Sequence, residues 1–256
     1  PFHLEAYGES TVNYNRNSEV FPVLRALMER IMGESPYKSP TDMGVNMAGY
    51  AISNDNICQE ASRAEMLRRY FDTAVKVAKT NMHFEELERQ ERLCNRAGVY
   101  PNDNPAYTAA MEKAEKTGMP AGALVLPDGT LVSGKTSDLL GCASSLLMNS
   151  LKTLANVEDV DVITDEAIKP ICALKTDTLG SSNLRLHSDE TLIELAIYSS
   201  TNELAKQILE QAKELRGSDA FFTVIISETD LKLYKSLGIN VSCMPVYESR
   251  SLYHTN

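Results

Sequence analysis

This sequence of 256 residues has no tryptophan, few cysteines and no long apolar run. A membrane-spanning helix needs about 20 consecutive, mainly apolar residues. The sequence contains no such stretch, so we expect no contact with a membrane. The opening residues also lack the basic start and the apolar stretch of a secretory signal peptide. We therefore expect a cytoplasmic protein.

An excess of basic residues is missing as well. Lysine and arginine total 25 against 35 aspartates and glutamates, which gives a formal net charge of -10. Binding to the phosphate backbone of a nucleic acid needs a basic face, so we do not expect nucleic acid as a partner. With 43% hydrophobic and 23% charged residues, the composition is that of a globular chain of one large or two small domains.

The cysteines do not form a recognisable pattern. They are odd in number, scattered, and never spaced as C-x-x-C: Cys58, Cys94, Cys142, Cys172 and Cys243. This argues against a disulfide framework and a zinc site, and it favours reduced thiols that pack as small apolar groups. A catalytic thiol is the alternative. The motif His3-Leu4-Glu5 matches half of a zinc deaminase signature, but the P-C-x-x-C half is absent, so we expect no metal.

Hydrophobic periodicity predicts a fold in two parts. Apolar residues at helical spacing over 20–31, 57–78, 84–97 and 106–116 predict four helices, of which the second and third form a hairpin. From about residue 119 the pattern alternates between strands and helices, so we expect an α/β (α+β) fold in which a helical N-terminal part is joined to a three-layer α/β subdomain. The predicted divisions are 1–50, 51–118 and 119–256.

The second part has predicted elements of both kinds. Its strands are expected at 123–126, 130–133, 160–164, 221–226 and 239–243. Its helices are expected at 139–155, at 166–174, from Ser188 or Asp189 with a break near 199–202, and at 231–237.

The first of three polar loops follows the predicted hairpin. Residues 129–136 read G-T-L-V-S-G-K-T and match the letters of a phosphate-binding loop, but Gly129 belongs to a Pro-Asp-Gly turn, so we do not expect a nucleotide P-loop. Lys135, Thr136 and Ser137 directly precede a helix, whose free N–H groups favour anions. Alternatively, Thr136 or Ser137 caps that helix and Lys135 is solvated.

Two more polar loops carry candidate ligand-binding residues. Residues 175–187 include Lys175, Arg185 and His187 before another helix start, either as an anion site or as a capped surface loop. Since ligands gather at strand ends and helix starts in α/β sheets, Lys135 and Arg185 are hypothesised to converge on one phosphate or carboxylate.

The third polar loop, residues 37–46, presents Lys38, Thr41, Asp42 and Asn46, which either bind a substrate or dock the helical part through buried hydrogen bonds. Asp42 and His187 are the candidates for an acid or base. The sequence indicates no particular cofactor.

Four long runs resemble a known bacterial family. They are PFHLEAYG at the start, ESPYKSPTDMGVNMAGYAI at 34–52, LPDGTLVSGKTSDLLG at 126–141 and KTDTLGSSNLRLHSDE at 175–190. They resemble the family called domain of unknown function 1846, with this chain as the carboxyl-terminal part of a longer protein whose upstream part carries a phosphate-binding-like loop. The resemblance implies a helical insert at about 51–118 and a carboxyl-terminal layer similar to the cytidine-deaminase-like fold without its zinc site. It implies no reaction.

These observations leave three functional hypotheses open. The leading one is the anion-, nucleotide- or phosphometabolite-binding and assembly half of a larger bacterial enzyme, with a homo-oligomer and an upstream domain of the same protein as partners. The rival is a non-catalytic oligomerisation module in which the helices of 57–97 pair with a second copy. The third is a degenerate deaminase-like scaffold.

Overall fold

The computed structural model describes residues 15–35, 55–157, 162–181 and 183–248. The chain divides into two compact units, Pro1–Asn104 and Pro105–Asn256. Within the described ranges, no helix has the length and hydrophobicity that a membrane span requires. The finer division at residues 50 and 118 stays a prediction.

The first unit is helical where the structure describes it. It contains α1 (Asn15–Met32), α2 (Asp55–Thr80) and α3 (Phe84–Ala97), followed by a 3-10 turn at Pro101–Asp103. A small core of Met66, Leu67, Cys94 and Val99 joins α2 to the end of α3, which confirms the predicted helical hairpin. The helix α3 ends at Gly98, whose φ of 62° is the left-handed conformation that glycine adopts most easily.

The second unit contains the sheet and most of the buried apolar residues. Its elements in chain order are α4 (Pro105–Thr117), β1 (Ala121–Val125), β2 (Leu131–Lys135), α5 (Cys142–Leu154), α6 (Asp165–Ala173) with a π-helical turn at Leu174–Thr178, α7 (Ser188–Ser199), α8 (Glu203–Glu210), a 3-10 turn at Gln211–Leu215, β3 (Asp219–Phe222), α9 (Glu228–Ser236) and β4 (Asn240–Cys243). The predicted hairpin, and the break between α7 and α8, are confirmed.

Helices cover both faces of a four-stranded mixed sheet in the order β2-β1-β3-β4. β1 pairs antiparallel with β2 and β3, while β3 and β4 are parallel. On one face Phe221 packs edge-on against Tyr107 of α4, with ring centroids 4.9 Å apart. On the other face Phe222 packs against Tyr234 of α9 at 5.4 Å. This alternation of side chains buries both faces and establishes a mixed α/β unit.

Glycine allows α5 to lie directly on the edge strand. A Cβ atom at Gly134 would be 2.4 Å from the backbone nitrogen of Leu146 and 2.6 Å from its Cα. Neither backbone atom can move without shifting the helix. The close approach therefore depends on the missing side chain at Gly134.

Three predicted boundaries need correction. The described part of the predicted strand at 160–164, residues 162–164, is not a strand, because Val162 and Ile163 lead into α6 and Thr164 is its N-cap; residues 158–161 lie outside the described ranges. The N-cap of α7 is His187 rather than Ser188 or Asp189. β3 ends at Phe222, so the apolar run to residue 226 is only partly strand.

Candidate functional site

A cavity of about 420 Å³ lies beside β2, at the edge of the sheet. Its polar lining comes mainly from α4, β2 and α5 and includes Lys113, Ser133, Lys135, Ser145, Asn149 and Lys152. Its apolar lining comes mainly from the segments around α6 and includes Leu140, Val162, Ile163, Ile168 and Leu186. The volume lies within the range of about 300–1,000 Å³ that is usual for small-molecule sites.

The helix α5 forms the floor of this cavity. Ser145, Met148, Asn149 and Lys152 line it, and their spacing places them along one face of the helix. The Asn149 side-chain nitrogen donates to the backbone oxygen of Ser133 at 2.9 Å, which satisfies one carbonyl on the open edge of β2. The helix is therefore fixed against the strand, and the cavity wall has a defined geometry.

The charge of the cavity is of one sign. Lys113, Lys135 and Lys152 line it, and no aspartate or glutamate does so in the part of the chain that the structure describes. Lys113 and Lys135 form no ion pair with any described residue. In a chain with a formal net charge of -10, Lys113 and Lys135 at one cavity are a local reversal of charge, and they favour an anion there.

The predicted loop at 175–187 places its lysine in a buried ion pair. The ammonium of Lys175 donates to a carboxylate oxygen of Glu190 at 2.6 Å and to the backbone oxygen of Arg185 at 2.7 Å. The Lys175 side chain is only 8% exposed. Glu190 also accepts from the backbone N–H of His187 at 2.8 Å. The lysine thus joins the π-helical turn to the start of α7.

Arg185 is paired as well. Its guanidinium donates to Glu248 at 2.5 Å, and both side chains are less than one-third exposed. Lys135 and Ser137 line the cavity, whereas Lys175, Arg185 and His187 are not among its lining residues. Of the cations that the sequence predicts to bind an anion, Lys135 lies at the cavity, whereas Lys175 and Arg185 are held in ion pairs.

His187 belongs to a hydrogen-bonded cluster between two helix starts. Asp230 accepts from the backbone N–H and the hydroxyl of Ser188, at 2.8 and 2.7 Å, and from the hydroxyl of Ser227 at 2.6 Å. The Nδ1 atom of His187 lies 3.2 Å from the second oxygen of Asp230. Because Ser188 begins α7 and Ser227 is the N-cap of α9, Asp230 joins the two helices.

The pKa values in this cluster favour an ion pair. The hydrogen bond with Asp230 raises the pKa of His187, and partial burial opposes that shift without cancelling it. Burial by itself would raise the pKa of Asp230, but the hydrogen bonds from His187, Ser227 and Ser188 outweigh it, so the pKa lies below the ordinary value. A protonated His187 facing an ionised Asp230 is therefore the favoured state in mildly acidic solution.

The thiol at the start of α5 is buried and protonated. Burial raises the pKa of Cys142 to about 12, and the neighbouring hydroxyl of Thr136 opposes the shift only partly. The Thr136 side chain is itself buried rather than facing the cavity. Burial likewise raises the pKa of Cys94 to about 11. Since the thiolate is the reactive form, these two cysteines suit packing better than nucleophilic chemistry.

The remaining predicted site residues lie outside the described ranges: Lys38, Thr41, Asp42 and Asn46. Within those ranges, no group of three or more histidine, cysteine, aspartate or glutamate side chains is placed to hold a metal ion. The sequence reasoning missed Lys113, Asn149, Lys152 and Asp230. The helical spacing of Asn149 and Lys152 along α5 was a usable signal, but no local pattern connects Lys113 to β2.

Comparisons with known proteins identify relatives along the whole chain. A family model described as domain of unknown function DUF1846, C-terminal, matches residues 102–253, and its N-terminal counterpart matches residues 1–98. The chain is 46% identical over 251 residues to a UPF0371 protein of Corynebacterium aurimucosum, covering 98% of this chain and 50% of that protein. It is 47% identical over 254 residues to a UPF0371 protein of Streptococcus thermophilus, covering 99% and 51%.

These matches correct one expectation. The resemblance recognised in the sequence is confirmed, but the expectation that the chain is only the carboxyl-terminal part of the family protein is corrected, because the models of both the N-terminal and the C-terminal family domain match it. The chain spans about half the length of the curated relatives that it matches.

Proposed function

The chain belongs to the DUF1846 family, and we propose that it binds a small phosphorylated molecule beside β2. The family's description states no function, so the proposal rests on the geometry of the cavity. The observation that carries the proposal is the pair of lysines Lys113 and Lys135, which line one cavity and form no ion pair with any described residue. A lysine ammonium binds phosphate as a point charge. Two of them offset the charge of a phosphomonoester dianion.

Neutral donors support the same ligand. The hydroxyls of Ser133, Ser137 and Ser145 line the cavity together with the lysines. Phosphate oxygens accept several hydrogen bonds at once, and each bond to an ionised acceptor is stronger than one between neutral groups. The combination of cations and hydroxyls therefore suits a phosphate better than a hydrophobic ligand.

The wider role follows from the length of the relatives. We propose that this chain is the ligand-binding and assembly half of a larger bacterial protein, that it acts in the cytoplasm, and that it self-associates. The chain spans about half of its curated relatives, which supports a further part that contributes to activity. The described lining contains serines and lysines but no histidine, cysteine, aspartate or glutamate, and it supports binding of a ligand rather than a particular reaction.

A cytidine-deaminase-like ancestry is a secondary proposal about the fold. It is supported by an antiparallel hairpin followed by a helix with Cys142 at its start, and by Ser227 and Asp230 at the start of α9 after β3. Cysteines occupy a helix start with the same i, i+3 spacing in zinc deaminases. Here the hydroxyl and the carboxylate are hydrogen-bonded to each other.

The proposal is tested by comparing phosphate with chloride at equal ionic strength. Inorganic phosphate at tens of millimolar should raise the melting temperature of the chain, because a ligand of the folded state stabilises it by RT ln(1 + [L]/Kd). The double variant Lys113→Gln/Lys135→Gln should lose this shift. Lys232→Gln, at an exposed lysine of α9, is the matched control and should keep it. An equal shift in both variants would contradict the proposal.

A further inference from the structure

The cavity has two walls of opposite character. The wall formed by α4 and β2 carries Lys113, Ser133 and Lys135. The apolar wall consists of lining residues that belong to one cluster, which is built on Ile168, Cys172 and Leu186 and against which Leu140 and Ile163 pack. A ligand that fills the space must therefore satisfy charge on one side and apolar contact on the other.

The size of the cavity excludes a bare ion as its full occupant. A volume of about 420 Å³ is many times that of a phosphate group, and it is within the range of sites for whole small molecules. With phosphate alone, the apolar wall stays in contact with water. An organic body that covers this wall releases that water and adds affinity.

We propose that the ligand is a phosphomonoester with an apolar body, such as an aromatic ring or a short hydrocarbon chain. This inference rests on the proposed function and adds the class of ligand. The phosphate faces Lys113 and Lys135, and the body lies against Leu140 and Ile163. Met148 also lines the cavity and adapts its flexible side chain to the body.

The same arrangement disfavours a polar body. Hydroxyl groups of a sugar or of glycerol placed against Leu140, Ile163 and Leu186 would lose hydrogen bonds to water without replacing them. One N–H of the Asn149 side-chain amide is already engaged by the Ser133 carbonyl. Selectivity is thus expected from the apolar wall, while the lysines supply affinity for any phosphate.

Three probes with one head group separate these contributions. Isothermal titration calorimetry on the full chain compares inorganic phosphate, glycerol 3-phosphate and phenyl phosphate. Phenyl phosphate should bind about tenfold more tightly than the other two, because its ring is removed from water against the apolar wall. Lys135→Gln should weaken all three probes by a similar factor.

The apolar wall is tested by substitution at Ile163, which is only half-buried. Ile163→Asn should bring phenyl phosphate to the affinity of glycerol 3-phosphate and leave inorganic phosphate unchanged. Ile163→Ala, which introduces no polar group, is the second variant in case the first does not fold. It should lose part of the tighter binding of phenyl phosphate. Ile193→Asn changes an exposed residue of α7 that does not line the cavity and should keep the full preference.

The outcomes distinguish the two proposals. Equal affinity for phenyl and glycerol phosphates overturns the apolar-body inference, and so does a preference that survives both Ile163 variants. Binding of phosphate that depends on Lys135 would in those cases still support the proposed function. If none of the probes binds, or if binding ignores Lys135, both proposals fail.

Discussion

Two groups of cations in the second unit differ in what surrounds them. At the start of α7, Lys175 is paired with Glu190, and Arg185 is paired with Glu248. At the edge of β2, Lys113 and Lys135 line a cavity and pair with no described carboxylate. Lys135, Lys175 and Arg185 come from polar loops that look alike in the sequence, whereas Lys113 comes from the helix α4.

The difference separates cations that stabilise the fold from cations that are available to bind a ligand. Removing charges from water costs free energy that a buried pair recovers only through good geometry, and the pairs around α7 have short distances and shared hydrogen bonds. Cations that face each other without counter-charges repel one another, so they reduce the stability of the empty protein. Such residues contribute only when an anion binds, which is the pattern expected of a binding site.

The largest expected effect comes from removing the acid that joins α7 to α9. Asp230→Ala leaves the N–H and hydroxyl of Ser188 and the hydroxyl of Ser227 without their acceptor. Buried donors without partners cost about 1–3 kcal/mol each, so we expect a loss of about 3 kcal/mol in the free energy of unfolding, measured by urea denaturation.

A matched substitution controls for the loss of a negative charge. Asp138 is exposed, and Asp138→Ala should change the free energy of unfolding by less than about 0.5 kcal/mol. If Asp230→Ala were as mild as Asp138→Ala, the cluster at the helix starts would not contribute to stability by joining α7 to α9.

The next effect concerns the buried lysine. Lys175→Met removes the donor to Glu190 and to the Arg185 carbonyl, and we expect a loss of about 2 kcal/mol because the carboxylate is left partly buried and unpaired. In the double variant Lys175→Met/Glu190→Gln, part of that loss should return. A double-mutant cycle in urea measures the coupling, and additive losses would mean that the pair contributes little.

Local signals explain which parts of the fold could be predicted. The Pro127-Asp128-Gly129 turn identified the hairpin, and helical periodicity identified the paired helices α2 and α3, because both depend on neighbours in sequence. The apolar run at 160–164 predicts a strand, yet Ile163 packs on the α6 cluster. A short apolar run suits either a strand or a buried segment, and tertiary contacts decide between them.

The sequence predicts a residue of the site only where neighbouring residues carry the signal. Lys135 follows Gly134 in a polar segment that the sequence pattern places before a helix, so its position gave a signal, although α5 begins only at Cys142. Lys113 reaches the same cavity from α4, and nothing in the sequence pairs it with β2. The partner of Arg185, Glu248, is 63 residues away. Whether a cation is paired or available therefore depended on contacts between distant segments, which a single sequence does not reveal.

A smaller effect is expected from pH. Since the pKa of His187 lies above its ordinary value of 6.5, its protonated form adds stability below that pH, and the contribution is lost as the pH rises through the folded-state pKa. The lowered pKa of Asp230, ordinarily 3.8, acts in the opposite sense, so its contribution is lost as the pH falls. Lys175, which is close by, opposes protonation of His187, and Glu190 favours it.

The opposite pH dependences of the His187 and Asp230 contributions determine the pH range in which stability should be measured. The difference in unfolding free energy between the wild type and His187→Gln should be greatest at about pH 5 and should shrink above neutrality, by about 1 kcal/mol or less. His83→Gln, at an exposed histidine of the first unit whose side chain is 47% exposed, is the control. A difference that grows with pH would show that His187 is stabilising in its neutral form.

The smallest expected effect is a small gain in the free energy of unfolding, whereas the other substitutions are expected to lower it. Lys113→Gln/Lys135→Gln should leave the ligand-free protein as stable as the wild type or more stable by a few tenths of a kcal/mol, since it relieves repulsion among the lysines around the cavity. Any gain should fade when salt is added, because counterions screen repulsion between exposed charges. Urea denaturation at low and high salt, without phosphate, measures it. A clear loss of stability would place these lysines with Lys175 as structural cations, and the contrast between the two groups would disappear.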